Sequence, residues 1–139
     1  MRTSARTHTF YREGNGFLSL DWRASPTMAA VKELPGNAVL YSNGADVVAL
    51  LADRPAQIVP QERLLRTNLP DPANPPEAQI ALMRTQANAG LPVYVICLDR
   101  IDWRFYLASE ARLKGDLALE PVGQFADGRI YRVAATTQP

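Results

Sequence analysis

The sequence of 139 residues contains one cysteine, Cys97, and one histidine, His8. A single cysteine excludes an intrachain disulfide and a thiol-rich metal site, and we expect neither a metal nor another cofactor. His8 lies in an N-terminal stretch without periodicity, which argues against a serine–histidine or cysteine–histidine mechanism. No run of eighteen apolar residues is present, so the sequence predicts no membrane-spanning helix and a soluble polypeptide.

A strong charge of either sign is also missing. Fifteen basic residues against fourteen acidic ones leave a formal net charge of +1, without a basic stripe or an acidic tail. Nucleic acid is therefore not expected as a partner. Hydrophobic residues make up 47% of the chain and charged residues 21%, which is typical of a globular protein with a packed core and not of a disordered chain.

The distribution of turn residues predicts the domain organisation. Residues 1–16 mix arginine, threonine and serine without a period, so we interpret them as a flexible tail. Residues 17–139 then have the length of a single α/β domain. Within that domain, residues 61–76 contain four prolines and little periodicity, which indicates a surface loop.

Helix and strand signals alternate along the domain. Ser25 followed by Pro26 is a typical N-cap and first helical residue, and Pro35-Gly36 ends that helix. Further helices are predicted at 47–51, from 75 to 89 and from 109 to 114, with strands at 38–41, 57–59 and 93–98. The last segment has two extended stretches around the turn at 126–128, as in a β-hairpin.

This order predicts the fold class. Alternating strands and helices favour a three-layer, Rossmann-like α/β domain with a mainly parallel sheet and helices on both faces. The antiparallel hairpin at the C-terminal end would extend the sheet at one edge. The strand at 93–98 is apolar at every position, as expected for a strand covered on both faces. Cys97 belongs to that strand and is interpreted as a core residue.

Polar side chains follow two of the predicted strands and form the candidate ligand site. Ser42, Asn43, Gly44 and Asp46 come after the first strand, at the start of a helix. The structural interpretation is a helix cap in which Asn43 and Asp46 hydrogen-bond the first turn. The functional interpretation is a ligand site at the carboxyl end of the sheet, although the segment is neither a dinucleotide-binding nor a phosphate-binding glycine loop.

A second pair of carboxylates, Asp99 and Asp102, follows the strand at 93–98 and reaches the same edge. Paired carboxylates can act as acid and base or hold a cation. They also form turns, and Arg100 and Arg104 are close enough in sequence to pair with them. Trp22 and Trp103 could stack on a sugar, but two isolated tryptophans are more typical of the rim of a small core, which is how we interpret them. No catalytic residue is predicted.

The segment "GNGFLSLDWRASPTMAAVKELPGNAVLYSNGADVVALLADRPAQIVP" and the C-terminal "DGRIYRV" resemble a known kind of domain. The chain is similar to the C-terminal domain that follows the last membrane helix in bacterial multi-pass proteins. Those proteins resemble lipid-phosphate-sugar-dependent glycosyltransferases, related to protein mannosyltransferases and aminoarabinose transferases. The match covers about residues 14–60 and the last dozen residues.

The resemblance implies a non-catalytic accessory domain on the extracytoplasmic side, with residues 1–16 as a juxtamembrane linker. Its partners would be the transmembrane part of the parent protein and a glycan or lipid-linked acceptor. One alternative is an independent enzyme or ligand-binding module that uses the polar residues at the strand ends: Ser42, Asn43, Asp46, Asp99 and Asp102. Another is a protein-interaction module that uses residues 69–76 or the edge hairpin.

Overall fold

The computed structural model describes residues 24–64, 67, 69–101, 104 and 106–136. In chain order the elements are α1 (Pro26–Lys32), β1 (Val39–Ser42), α2 (Ala45–Leu51), β2 (Gln57–Ile58), α3 (Pro76–Asn88), β3 (Val93–Leu98), α4 (Glu110–Asp116), β4 (Leu119–Phe125) and β5 (Gly128–Val133). The tail predicted at residues 1–16 lies outside the described residues, as do Trp22, Asp102 and Trp103.

The strands form one mixed sheet of five strands in the order β2-β1-β3-β5-β4. β1 pairs in parallel with β2 and β3, whereas β5 pairs antiparallel with β3 and β4. The α/β class and the antiparallel pair at one edge are confirmed. The sheet is mixed where the sequence predicts a mainly parallel one, because β5 lies directly beside β3.

The hydrophobic core is divided by the sheet into two clusters. Val95 and Cys97 of β3 pack with residues of α3 and α4. Ile96 and Leu98, which alternate with them, pack with residues of α1 and α2. Since successive side chains of a strand point to opposite faces, helices cover both faces of the sheet. This explains why every residue of β3 is buried.

Two helices begin where local sequence signals predict. The Ser25 hydroxyl accepts a hydrogen bond from the Met28 amide at 3.1 Å, and Pro26 is the first residue of α1. The Ser109 hydroxyl accepts one from the Arg112 amide at 3.1 Å at the start of α4. Each serine satisfies an amide that has no partner within its helix, so both predicted caps are confirmed.

The connection between β4 and β5 is tied to the start of α1. The Asp127 carboxylate accepts hydrogen bonds from the Thr27 hydroxyl at 2.7 Å and the Thr27 amide at 3.3 Å, and also from the Ser25 hydroxyl. Partial burial alone would raise the pKa of Asp127, but these hydrogen bonds outweigh it and the pKa lies below its usual value. The charged carboxylate therefore anchors the edge strands to α1.

β4 forms one edge of the sheet. Its pairing with β5 is interrupted by a register shift between Pro121 and Gly123, and Val122 there is half exposed. A shift of this kind places an extra residue on one strand and increases the local twist. None of the helices in the described residues combines the length and the apolar character of a membrane span.

Candidate functional site

The candidate site lies where the connections after β1 and β3 diverge. These strands are parallel neighbours, but the helix after β1 packs on one face of the sheet and the helix after β3 packs on the other. Such a divergence opens a crevice beyond the carboxyl ends of the strands, which is the usual ligand site of open α/β sheets. The local topology thus provides a concave surface at the predicted edge.

A cavity of about 350 Å³ occupies this position. We call it the carboxyl-end cavity. Apolar side chains form one part of its lining and polar or charged side chains form the other: Val59, Cys97, Leu107 and Leu113 in the first group, Asn43, Asp99, Arg104, Glu110 and Arg129 in the second. Its volume lies at the lower end of the range for small-molecule sites.

Asn43 connects the ends of β1 and β3. Its side-chain nitrogen donates to the carbonyl oxygens of Leu98 at 2.9 Å and Ile101 at 3.3 Å. Its side-chain oxygen accepts from the Leu98 amide at 2.9 Å. The predicted helix cap is therefore wrong: the N-cap of α2 is Gly44, and no side chain caps it. Backbone groups 55 and 58 residues away in the chain hold the Asn43 amide instead.

Ser42 and Gly44 are buried on either side of Asn43. The Ser42 hydroxyl accepts a hydrogen bond from the Gly44 amide at 3.0 Å, so it stabilises the turn. A Cβ atom on Gly44 would lie 3.0 Å from Leu98 Cδ1 and 3.1 Å from Ile101 Cγ1. Glycine is favoured here because it allows the turn to approach the end of β3 closely.

Asp46 is paired with Arg104. Both η nitrogens of Arg104 donate to the Asp46 carboxylate at 3.0 Å, and Nη1 also donates to the Asn43 carbonyl oxygen at 3.1 Å. The hydrogen bonds from Arg104 lower the pKa of Asp46. Arg104 thus binds the start of α2. The pair therefore fixes the segment after β3 against α2.

Asp99 belongs to a second ion-pair network centred on Arg129 of β5. Arg129 Nη2 donates to Asp99 Oδ1 at 2.6 Å, and Arg129 Nε donates to Glu110 at 2.8 and 3.0 Å. The Tyr131 hydroxyl also donates to Glu110. The hydrogen bonds from Arg129 to Asp99 and Glu110 raise the pKa of Arg129. Burial alone would raise the pKa of Glu110, but Arg129 and Tyr131 together lower it.

Comparisons with protein-family models, curated proteins and solved structures find no match.

Sequence reasoning missed Arg129 and Glu110. Arg129 lies in the segment "DGRIYRV", where the alternation of a strand places it on the same face as Tyr131. Glu110 directly follows the Ser109 cap, so its place in the first turn of α4 was predictable. Pairing between them was not, because it depends on β5 lying beside β3, where Arg129 is opposite Cys97.

Cys97 contributes a thiol to the lining of the carboxyl-end cavity. Its side chain is nearly buried, and burial, followed by the charge of Glu110, raises its pKa to about 12. A thiol with such a pKa carries almost no thiolate at neutral pH and is a poor nucleophile. This agrees with its interpretation as a core residue.

Two of the predicted site residues face the cavity. Among those that the structure describes, Asn43 and Asp99 line it, whereas Ser42, Gly44 and Asp46 do not; Asp102 lies outside the described residues. No group of three or more histidine, cysteine, aspartate or glutamate side chains in the described part of the chain is arranged to hold a metal ion. The lining of the cavity combines an apolar wall with paired charged side chains.

Proposed function

We propose that this chain is a non-catalytic accessory domain of a bacterial membrane protein that resembles lipid-phosphate-sugar-dependent glycosyltransferases. Its support is the sequence resemblance together with the bonding of Asn43, whose amide makes three hydrogen bonds to the backbone of Leu98 and Ile101. This side chain stabilises the loops at the carboxyl end of the sheet. Its bonding capacity is used for structure, so it is poorly placed to act on a substrate.

The carboxylates at this edge support the same proposal. A general acid or base works best when its pKa is close to the working pH. The pKa of Asp46 is lowered by Arg104, and the pKa of Glu110 is lowered by Arg129 and Tyr131. Both groups remain charged and paired at neutral pH, which suits a structural role.

The proposal places the domain on the extracytoplasmic side, where it contacts the transmembrane part of the parent protein and a glycan or lipid-linked acceptor. We further infer a Rossmann-like architecture, because β1 and β3 are parallel neighbours whose following helices pack on opposite faces. In such an architecture the carboxyl-end cavity would face the acceptor.

Activity assays test the accessory role directly. The purified 139-residue chain should neither hydrolyse nor transfer sugar from polyprenyl-phosphate donors. Deletion of residues 17–139 from the longer polypeptide should lower transfer by the parent protein. In the parent, Asn43→Ala should also lower transfer, whereas the control Asn37→Ala, at an exposed position, should not. Turnover of the donor by the purified chain would contradict the proposal, as would full activity after the deletion.

A second candidate function is ligand binding without catalysis, and the carboxyl-end cavity is the observation that favours it. The cavity is concave, has an apolar wall and carries a few converging polar groups, as small-molecule sites do. Nuclear magnetic resonance titrations with small ligands distinguish this candidate from the first. Binding should shift the amide signals of Cys97 and Leu113, whereas an accessory domain without a ligand site should show no localised shifts.

A further inference from the structure

We propose that the carboxyl-end cavity binds a small zwitterion with an apolar body, of the class of free aliphatic α-amino acids. This inference rests on the ligand-binding candidate above and specifies the ligand. The reasons are the balance of charges in the cavity lining, the geometry of Arg129 and the apolar wall.

The charged side chains of the described residues that line the cavity are all compensated by ion pairs. Arg104 is paired with Asp46, and Asp99 and Glu110 are paired with Arg129 and Lys114. A ligand with a net charge would leave one charge in the cavity without compensation, and partial burial makes such a charge costly. A ligand that carries one charge of each sign preserves the balance.

The η edge of Arg129 is where the ligand carboxylate would bind. Its Nε is held by Glu110 at 2.8 Å, whereas its two η nitrogens face Asp99 at 2.6 and 3.4 Å. The Asp99 side chain is 47% exposed, so its ion pair with Arg129 contributes little to stability and can be exchanged. A ligand carboxylate presents the same pair of oxygens to the guanidinium as Asp99 does.

Asp99 would then become the partner of the ligand ammonium group. Once a ligand carboxylate occupies the η edge of Arg129, the Asp99 carboxylate is left beside it without its former cation. In an α-amino acid the ammonium group lies on the carbon next to the carboxylate, within reach of a neighbouring acidic side chain. Two ion pairs thus replace one, and both charges of the ligand are compensated.

The apolar wall would receive the side chain of the ligand. Val59, Leu107 and Leu113 are buried residues of the core cluster that reaches the cavity, and Cys97 adds a neutral thiol. An aliphatic group of the ligand placed against this wall loses its own contact with water, and this burial contributes to binding in proportion to the apolar area of the group. A polar or bulky charged side chain gains nothing from this wall.

Four matched probes test the inference on the 139-residue chain: L-leucine, N-acetyl-L-leucine, L-leucinamide and 3-methylbutan-1-ol. They share the aliphatic group and carry, respectively, both charges, only the negative charge, only the positive charge and no charge. Amide signals of Cys97, Leu113 and Arg129 report on the cavity, and that of Ala118 serves as a remote control. We expect L-leucine to bind at least about tenfold more tightly than each of the other probes, since each lacks a charge-assisted pair.

Two variants test the role of Asp99. Asp99→Asn should weaken L-leucine binding to the level of N-acetyl-L-leucine, a loss of about tenfold, without unfolding the chain because the side chain is half exposed. Glu120→Gln removes a carboxylate from an exposed position on β4 and should leave binding unchanged.

The outcomes separate the two claims. If 3-methylbutan-1-ol shifts the cavity signals as strongly as L-leucine, the cavity binds ligands but the zwitterion inference is wrong. Equal binding of N-acetyl-L-leucine or L-leucinamide also overturns it. If no probe shifts these signals, the ligand-binding function itself is contradicted.

Discussion

Thr27 and Asp127, which are 100 residues apart in the chain, are joined by two hydrogen bonds: the hydroxyl and the amide of Thr27 both donate to the same carboxylate oxygen of Asp127. The two hydrogen bonds connect the first residues of α1 to the turn between β4 and β5. Helix and turn consequently form a single structural unit although opposite ends of the sequence provide them.

Removal of this carboxylate should destabilise the fold. Asp127→Ala leaves the hydroxyls of Ser25 and Thr27, both on buried residues, without their acceptor. We expect the free energy of unfolding to fall by about 2–3 kcal/mol, as is typical for a lost hydrogen bond to a charged group. Urea denaturation measures the change. Glu120→Ala, at an exposed position on β4, is the control and should have little effect.

Acid should remove the contribution of Asp127. Its pKa in the folded state lies below the unfolded value of about 3.9, so its stabilisation is complete above that value and is lost as the pH falls through the folded pKa. The stability difference between the wild-type chain and Asp127→Ala should therefore be constant near neutral pH and close in acid. A difference that stays constant at every acidic pH at which the chain remains folded would show that lost packing, not the carboxylate charge, causes the effect.

Asn43→Ala should loosen the ends of β1 and β3. It leaves the Leu98 amide and two carbonyl oxygens without a side-chain partner, at an expected cost of about 1–3 kcal/mol. Hydrogen exchange should become faster at the amides of Leu98 and Ile101. Asn37→Ala, at an exposed position, is the matched control. If the amides of Leu98 and Ile101 exchange at the same rate in both variants, Asn43 does not hold these strand ends.

Gly128→Ala should be poorly tolerated. A Cβ atom at this position would lie 2.6 Å from the Cys97 carbonyl oxygen and 2.8 Å from Thr27 Oγ1, so β5 or α1 would have to move. We expect a loss of about 1–3 kcal/mol, as for other overpacked sites. Gly36→Ala provides the comparison, because a Cβ atom there meets nothing within 4 Å. Equal melting temperatures of the two variants would contradict the close contact.

Cys97 should react slowly in the folded protein. Because its pKa is raised to about 12, the thiolate fraction at pH 8 is small, and the nearly buried side chain restricts access further. Reaction with 5,5′-dithiobis(2-nitrobenzoic acid) should be at least about a hundredfold slower than in guanidinium chloride, where the pKa returns to about 8.5. Rapid reaction of the folded chain would indicate that the carboxyl-end cavity opens widely.

Local signals in the sequence predicted local structure well. Ser25-Pro26 and Ser109 mark the starts of α1 and α4 because a serine cap depends only on the residues that immediately follow it. The all-apolar pattern predicted β3 with its observed bounds, since burial on both faces leaves no polar alternation.

Contacts between distant segments could not be read from the sequence. The short spacing of Asn43 and Asp46 is compatible with a cap, but the amide of Asn43 binds the end of β3, which only the pairing of β1 with β3 brings near. The apolar pattern of β3 is equally compatible with a parallel or an antiparallel neighbour, so it did not predict that β5 lies beside it. The Arg129 network depends on that placement.

The interruption at Pro121 and Gly123 affects how copies of the chain can meet. An open sheet edge can recruit a strand from another molecule, and repeated recruitment produces fibrils. Proline offers no amide hydrogen to an arriving strand, and the displaced register breaks the ladder that it would have to follow. The β4 edge is thus a poor template for edge-to-edge pairing with a second copy of the chain.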